Sequence, residues 1–290
     1  MYYLNKTKEE LINELQESQQ ELISIMALSG NDISKYDITF LNKSLQKRIT
    51  ETHCSADGEY YSLLELNNNE RDLFADSLHN SYNEFFRNPL TFAVLERIIL
   101  PSLLLKKKTS KNKEIRIWSA ACAAGQEAYS TAMLVEELRN GNDKKLNYRI
   151  FATDQCDLQV NEARKGIYSA AALNNLNLKR VKQWFTKHGD TYTIKPELQE
   201  HIDFSVFDLF SEHLSAPPAS IFGDFDLVIC ANLLFYYKPE FQKVIIEKVG
   251  KCLANNGYLV VGETERDILM KHNYIEVFQQ SGIFQKLARG

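Results

Sequence analysis

With 290 residues, 44% of them apolar and 25% charged, the chain can build a real core in two modest domains or one large one. A net charge of −4 gives no electrostatic invitation to DNA or RNA, whose affinity comes largely from neutralised phosphates, so no nucleic-acid partner is expected. The first ten residues include Glu9 and Glu10 where a signal peptide needs an apolar run. The most apolar stretches, 94–105 and 225–237, fall short of the roughly 18 clean apolar residues of a membrane span. A cytoplasmic protein without membrane insertion is the expectation. Its five cysteines, odd in number and without paired metal-type spacing, read as reduced thiols serving as small buried apolar groups, and no metal is expected.

Residues 1–28 predict a polar helix with Leu4, Leu11, Leu15, Leu22 and Ile25 on an interrupted heptad seam. Two readings stand: a linker helix lying on its own domain, or a short coiled coil giving self-association. Residues 29–87 read as a small all-helical domain. Asn31-Asp-Ile-Ser34 offers a helix start, Phe40, Leu41, Leu45 and Ile49 form an apolar stripe, and a turn at 55–58 precedes 60–66. A short helix over 70–78 has Leu73, Phe74 and Leu78 inward.

From residue 88 to 290 the pattern changes. Strand-like runs at 115–119, 148–153, 202–207, 225–230 and 258–261 alternate with helical segments at 127–138, 158–165, 173–185 and 241–253. Such alternation argues an α/β fold with a parallel, doubly wound sheet. Runs at 274–278 and 283–287 around Ser281-Gly282 predict an antiparallel pair closing it. A parallel sheet with antiparallel terminal strands is the outline of the class I methyltransferase, or Rossmann-like, sheet; the outline alone does not separate it from a dehydrogenase.

The chemistry is read at the strand ends. After 115–119 the chain is rich in small residues up to Gly125, which lets backbone approach a ligand at the N-terminus of the next helix. The glycine fingerprint of a dinucleotide site is absent, as suits a cofactor without phosphate. Asp154, at the end of the next strand, is placed to accept hydrogen bonds from two ribose hydroxyls; its alternative role is a helix cap. Asn232 and Tyr236 follow the strand 225–230, where residues line the crevice of an open sheet. Phe235, Tyr236 and Tyr237 also read as an aromatic core cluster, for at least two of the three.

Several motifs then occur in order: Ser81-Tyr-Asn-Glu-Phe-Phe-Arg87, Trp118-Ser-Ala-Ala-Cys-Ala-Ala-Gly-Gln-Glu-Ala-Tyr-Ser130, Ala152-Thr-Asp154, Ala163-Arg-Lys-Gly-Ile-Tyr168, Cys230-Ala-Asn-Leu-Leu-Phe-Tyr-Tyr237 and Gly257-Tyr-Leu-Val-Val-Gly-Glu-Thr-Glu265. In this order and spacing, from about residue 30 to 287, the chain resembles the chemotaxis-receptor protein-glutamate O-methyltransferases (CheR type). The resemblance implies methyl transfer from S-adenosyl-L-methionine to glutamate carboxylates of the cytoplasmic region of a chemoreceptor or related sensor, with S-adenosyl-L-homocysteine as product. It implies Arg87 beside methyl donor and acceptor and Tyr236 near the transferred methyl. It further implies Asn83, Ala120, Glu127, Asp154 and Asn232 in contact with the cofactor, and Lys47 and Arg48 on a substrate-facing helix. A small antiparallel subdomain at about 184–204 resembles the one that grips a receptor tail in some members. The chain departs from the family at Asn83, at Ser81 and at Ala231, where the usual Cys-Arg-Asn has lost its arginine. A methyltransferase of another acceptor, a regulatory module that binds the cofactor without catalysis and a NAD-dependent enzyme stand as alternatives.

Overall fold

The computed structural model describes residues 8–78, 83–110, 112–142, 147–220 and 223–286. Leu4, Ser81 and Leu287 lie outside them, as do the side chains of Leu11 and Leu15. The chain divides into two compact units, Met1–Asn80 with Tyr236–Phe241, and Ser81–Phe235 with Gln242–Gly290.

The first unit holds α1 (Lys8–Ala27), α2 (Ile38–Glu51), α3 (Asp57–Leu66) and α4 (Asn68–Ser77). Helix α2 starts later than the sequence suggested, because Asp37 is its cap and accepts the N–H groups of Thr39 at 2.8 Å and Phe40 at 3.4 Å. Asp32 instead closes a turn on the Ser34 N–H. Of the expected stripe, Leu41, Leu45 and Ile49 are buried and Phe40 is half-buried. On α4, Phe74 and Leu78 point inward, but Leu73 is 43% exposed; Glu70 and Arg71 take the inner face beside Phe74. Leu22, Ile25 and Met26 of α1 are buried, and the Ser18 hydroxyl lies 2.7 Å from that of Tyr61 on α3. The last part of the α1 seam is therefore used inside its own unit. The segment 236–241 joins these helices: Tyr237 stacks on Tyr36 with centroids 5.1 Å apart, and the Asp37 N–H donates to the Tyr236 carbonyl at 2.8 Å.

The second unit begins several residues before the expected boundary at 87, because Phe85 and Phe86 are buried in its core. Pro89 opens α5 (Pro89–Val94), and a π-helical turn over Leu95–Ile99 leads into α6 (Leu100–Thr109). The turn falls just ahead of Pro101, whose ring and missing N–H disfavour regular α-helical bonding there. Then follow β1 (Glu114–Ala120), α7 (Gln126–Asn142), β2 (Asn147–Asp154), α8 (Asp157–Lys165), β3 (Ile167–Ser169), α9 (Leu178–Trp184), β4 (Phe185–His188), β5 (Thr191–Ile194), α10 (Pro196–Gln199), β6 (Ile202–Val206), β7 (Phe225–Ile229), α11 (Pro239–Lys251), β8 (Leu253–Val260), α12 (Arg266–Met270), β9 (Tyr274–Glu276) and β10 (Ile283–Lys286).

Among the described residues the large sheet has the order β6-β2-β1-β7-β8-β10-β9. The first five strands pair in parallel, and β10 runs antiparallel to both β8 and β9, as the sequence predicted for its tail. Every residue of β7 is buried, which suits a central strand covered on both faces. Its Asp226 is tolerated there because the Lys107 ammonium lies 2.8 Å away and the Arg116 N–H donates at 3.0 Å.

A second sheet, β3-β5-β4, is antiparallel and spans 167–194, not 184–204. Residues 202–206 pair with β2 in the large sheet instead. The helical reading of 173–185 shrinks to α9, which Asn177 caps, and Phe185 already opens β4. Of the cysteines, Cys122, Cys230 and Cys252 are buried and all five are free.

Candidate active site

Helix α7 carries the chain from β1 to β2 on one side, while β7 lies on the other side of β1. The strand order reverses there, which opens a crevice at the carboxyl ends of β1 and β7. The loop after β1 is tightly shaped. Ala121 and Ala123 are left-handed, with φ of 60° and 46°, and Gly125 has φ 88°. A left-handed alanine costs about 1–2 kcal/mol, so the neighbours must hold it. The Cys122 N–H donates to the Thr153 carbonyl at 2.9 Å and the Tyr168 hydroxyl to the Ala124 carbonyl at 2.6 Å. The Ala123 N–H donates to Asp154 Oδ2 at 2.9 Å. Gly125 is required twice over: besides its φ, a Cβ there would sit 2.9 Å from the Ala163 Cβ and 3.3 Å from the Phe204 ring.

Carboxylates gather near the carboxyl end of β1. Asp154, at the end of β2, also accepts the Cys156 N–H through Oδ1 at 3.0 Å. It thus ties together the loops after β1 and β2. It is not the cap of α8, a position that Cys156 occupies without a side-chain bond. Glu127, in the first turn of α7, accepts the Ser119 hydroxyl at 2.7 Å. Burial pushes its pKa up to about 7; the Ser119 bond lowers it, the Glu265 charge raises it and the Arg87 charge lowers it. The neighbouring Gln126 has a buried Oε1 without a hydrogen-bond partner among the described residues, an acceptor that a ligand donor could satisfy.

Of the residues singled out from sequence, Asn83, Arg87, Ala120, Glu127, Asp154 and Asn232 all fall in this second unit. Asn83 uses its amide on the protein itself: Nδ2 donates to the Cys122 carbonyl at 3.3 Å, and Oδ1 accepts the Glu84 N–H at 2.9 Å. Ala120 is the buried last residue of β1. Asn232 is left-handed, with φ 61°. Tyr236, Lys47 and Arg48 belong to the helical unit. The Tyr236 ring lies on Phe40 with centroids 4.7 Å apart; Tyr237 is buried and Phe235 is exposed.

Lys47 is exposed, but Arg48 is not a free docking cation. Its Nε and Nη2 grip Glu70 at 3.0, 2.8 and 2.7 Å, and Nη1 meets Glu51 at 2.7 Å. The buried Glu70 demands that guanidinium, a partnership the spacing of residues 48 and 70 could not announce. Sequence reasoning also passed over Glu265 as a site residue. Its fully buried carboxylate accepts the N–H groups of Leu234 at 2.6 Å, Gly262 at 2.7 Å and Asn232 at 2.8 Å. The signal lay in the spacing Gly262-x-x-Glu265, the span over which a capping glutamate reaches back to the chain.

No three His, Cys, Asp or Glu side chains among the described residues gather as a metal site. A mostly parallel sheet with an antiparallel close, and a glycine-poor crevice with an acidic residue after its second strand, define a Rossmann-like methyltransferase domain. Residues 81–283 match the family described as CheR methyltransferase, SAM binding domain. The chain is 32% identical over 210 residues to a chemotaxis protein methyltransferase of Borreliella burgdorferi, covering 71% of this chain and 72% of that one. It is 30% identical over 237 residues to one of Listeria innocua, covering 82% and 85%. An uncharacterized 104.1 kDa protein of Rhodobacter capsulatus is 28% identical over 276 residues; the match takes in 94% of this chain but 28% of that longer protein. The chain belongs to the CheR methyltransferase family and is an S-adenosylmethionine-dependent methyltransferase.

Proposed function

We propose that this chain esterifies glutamate side chains on the cytoplasmic region of a chemoreceptor or related sensor protein, releasing S-adenosyl-L-homocysteine. The observation that carries the reading is the pair of carboxylates, Glu127 and Asp154, against the carboxyl end of β1 and the loop after it, in a chain whose relatives are named chemotaxis protein methyltransferases. The cofactor supplies an electrophilic methyl group on a positively charged sulfur.

Asp154 accepts backbone N–H groups through both oxygens, which holds its carboxylate at the end of β2, and it is assigned to the ribose hydroxyls. Glu127 and Glu265 bias the crevice toward a cationic ligand. A glutamate acceptor has an ordinary pKa of about 4.3 and arrives ionised, so no general base is needed. Catalysis then consists of alignment and water exclusion. Arg87 is assigned to hold the acceptor carboxylate through charge-assisted bonds. Tyr236, four residues past Asn232 in the chain, is assigned to orient it. On the helical unit Lys43 and Lys47, both exposed, are assigned to an acidic helical acceptor, and Arg48 serves the fold.

No described helix is long and apolar enough to cross a membrane. Asp154→Ala tests the ribose assignment, because it should weaken both cofactor and product. Unchanged affinity by calorimetry would remove the ribose assignment.

A further inference from the structure

Glu265 is the most deeply embedded charge at the crevice, with an accessibility of 0%. Burial raises its pKa, and what offsets the burial is a set of backbone N–H groups with no cation among them. Such bonds are charge-assisted and directional. They come from the loop after β7, at Asn232, Leu233 and Leu234, and from Gly262 after β8. The loop needs the help, because Asn232 is held at φ 61°. Its neighbour allows no slack either. A Cβ on Gly262 would lie 2.8 Å from Asn232 Oδ1, 2.8 Å from Glu265 Oε2 and 3.0 Å from the Asn232 nitrogen.

We propose that Glu265 is a positioning residue for the cofactor: its carboxylate clamps the backbone of residues 232–234 against Gly262 and so sets where Asn232 presents its side chain. The inference rests on the proposed reading of the crevice as the cofactor site and goes beyond it by naming what fixes one wall. The alternative is that Glu265 merely supports the fold, in which case its loss acts no more on Asn232 than on any other contact.

A double-mutant cycle on the full chain, read as S-adenosylmethionine affinity by calorimetry, distinguishes the two. Glu265→Gln keeps the shape but replaces one acceptor oxygen with a donor, leaving an N–H of the clamp unpaired. Asn232→Gly removes the side chain while tolerating the left-handed backbone. Each should weaken binding about 10- to 100-fold, and the double variant should bind no more weakly than the poorer single one. Combining Glu265→Gln with Asp154→Ala, on the other wall, should instead multiply the two losses. Multiplication in the Glu265/Asn232 pair, or wild-type affinity in Glu265→Gln, would overturn the assignment. Should Glu265→Gln fail to fold, Gly262→Ala takes its place, since it displaces Asn232 without removing an acceptor. Wild-type affinity in Gly262→Ala, or losses that multiply with those of Asn232→Gly, would equally overturn it. A wild-type chain that binds neither cofactor nor product removes the proposed site itself, a result distinct from failure of the clamp.

Discussion

Two buried glutamates, one in each unit, are kept in opposite ways. Glu70 of the helical unit accepts the Arg48 guanidinium on both oxygens and the Tyr60 hydroxyl at 2.6 Å, so its charge is cancelled where it sits. Glu265 of the sheet unit meets backbone N–H groups among the described residues, and its charge still acts on Glu127. The first arrangement is electrostatically closed and serves folding. The second leaves surplus negative potential in a crevice, which suits a cationic ligand. Exposure alone would not have separated them, since both carboxylates are buried; the identity of the donors does.

The comparison breaks most readily at Arg48. Arg48→Ala should destabilise the helical unit by about 3–5 kcal/mol, because Glu70 is left buried without its counter-ion. Chemical denaturation would show it, and a loss near that of an ordinary surface pair would mean that water already screens Glu70. In the sheet unit the corresponding removal should act on ligand rather than fold. Asp154→Ala is expected to cost about 1–3 kcal/mol of cofactor affinity, one to two decades, with a smaller shift in melting.

Glu127 sharpens the contrast through pH. Its folded pKa of about 7 lies above the ordinary 4.5, so the folded state holds the proton more tightly than the unfolded chain. Stability of the unliganded protein should therefore be greatest below pH 4.5, as far as this group is concerned, and decline as pH rises toward about 7. Cation binding works the other way. Affinity for S-adenosylmethionine should fall as pH drops below about 7, by up to tenfold per unit, and Glu127→Gln should flatten that dependence. A profile unchanged by the substitution would assign the titration to another group. The smallest effect belongs to the exposed Lys47, which already lies 3.8 Å from Glu51. Lys47→Glu should weaken acceptor docking by about 0.2–1 kcal/mol, and added salt should erase the difference.

The sheet and its closing antiparallel pair were legible in the sequence because strand and helix periods alternate clearly from 115 to 286. The loop of small residues ending at Gly125 and the acidic end of β2 at Asp154 were legible because each sits at a strand terminus, but the left-handed Ala121 and Ala123 that shape the loop were not. What periodicity missed was short or conditional. The three-residue strand β3 carries too little pattern to place the small sheet. Leu73 looked like core by type, yet the helix phase turned it outward once Glu70 had faced Arg48. Arg48 depends on a partner 22 positions away, a pairing that does not register in local spacing; of the Glu265 contacts only the one to Gly262 falls within such spacing, and those to Asn232 and Leu234 do not.

The chemistry proposed for the crevice is ester formation on an ionised carboxylate held by Arg87. Its most direct measurement incubates the full chain with methyl-labelled S-adenosylmethionine and a chemoreceptor cytoplasmic fragment, then follows label released from the protein as methanol in mild base. Base-labile label is expected on glutamates of the fragment, most of it lost with Arg87→Ala while melting stays close to wild type. Label that survives base, or base-labile label that Arg87→Ala leaves undiminished, would contradict it.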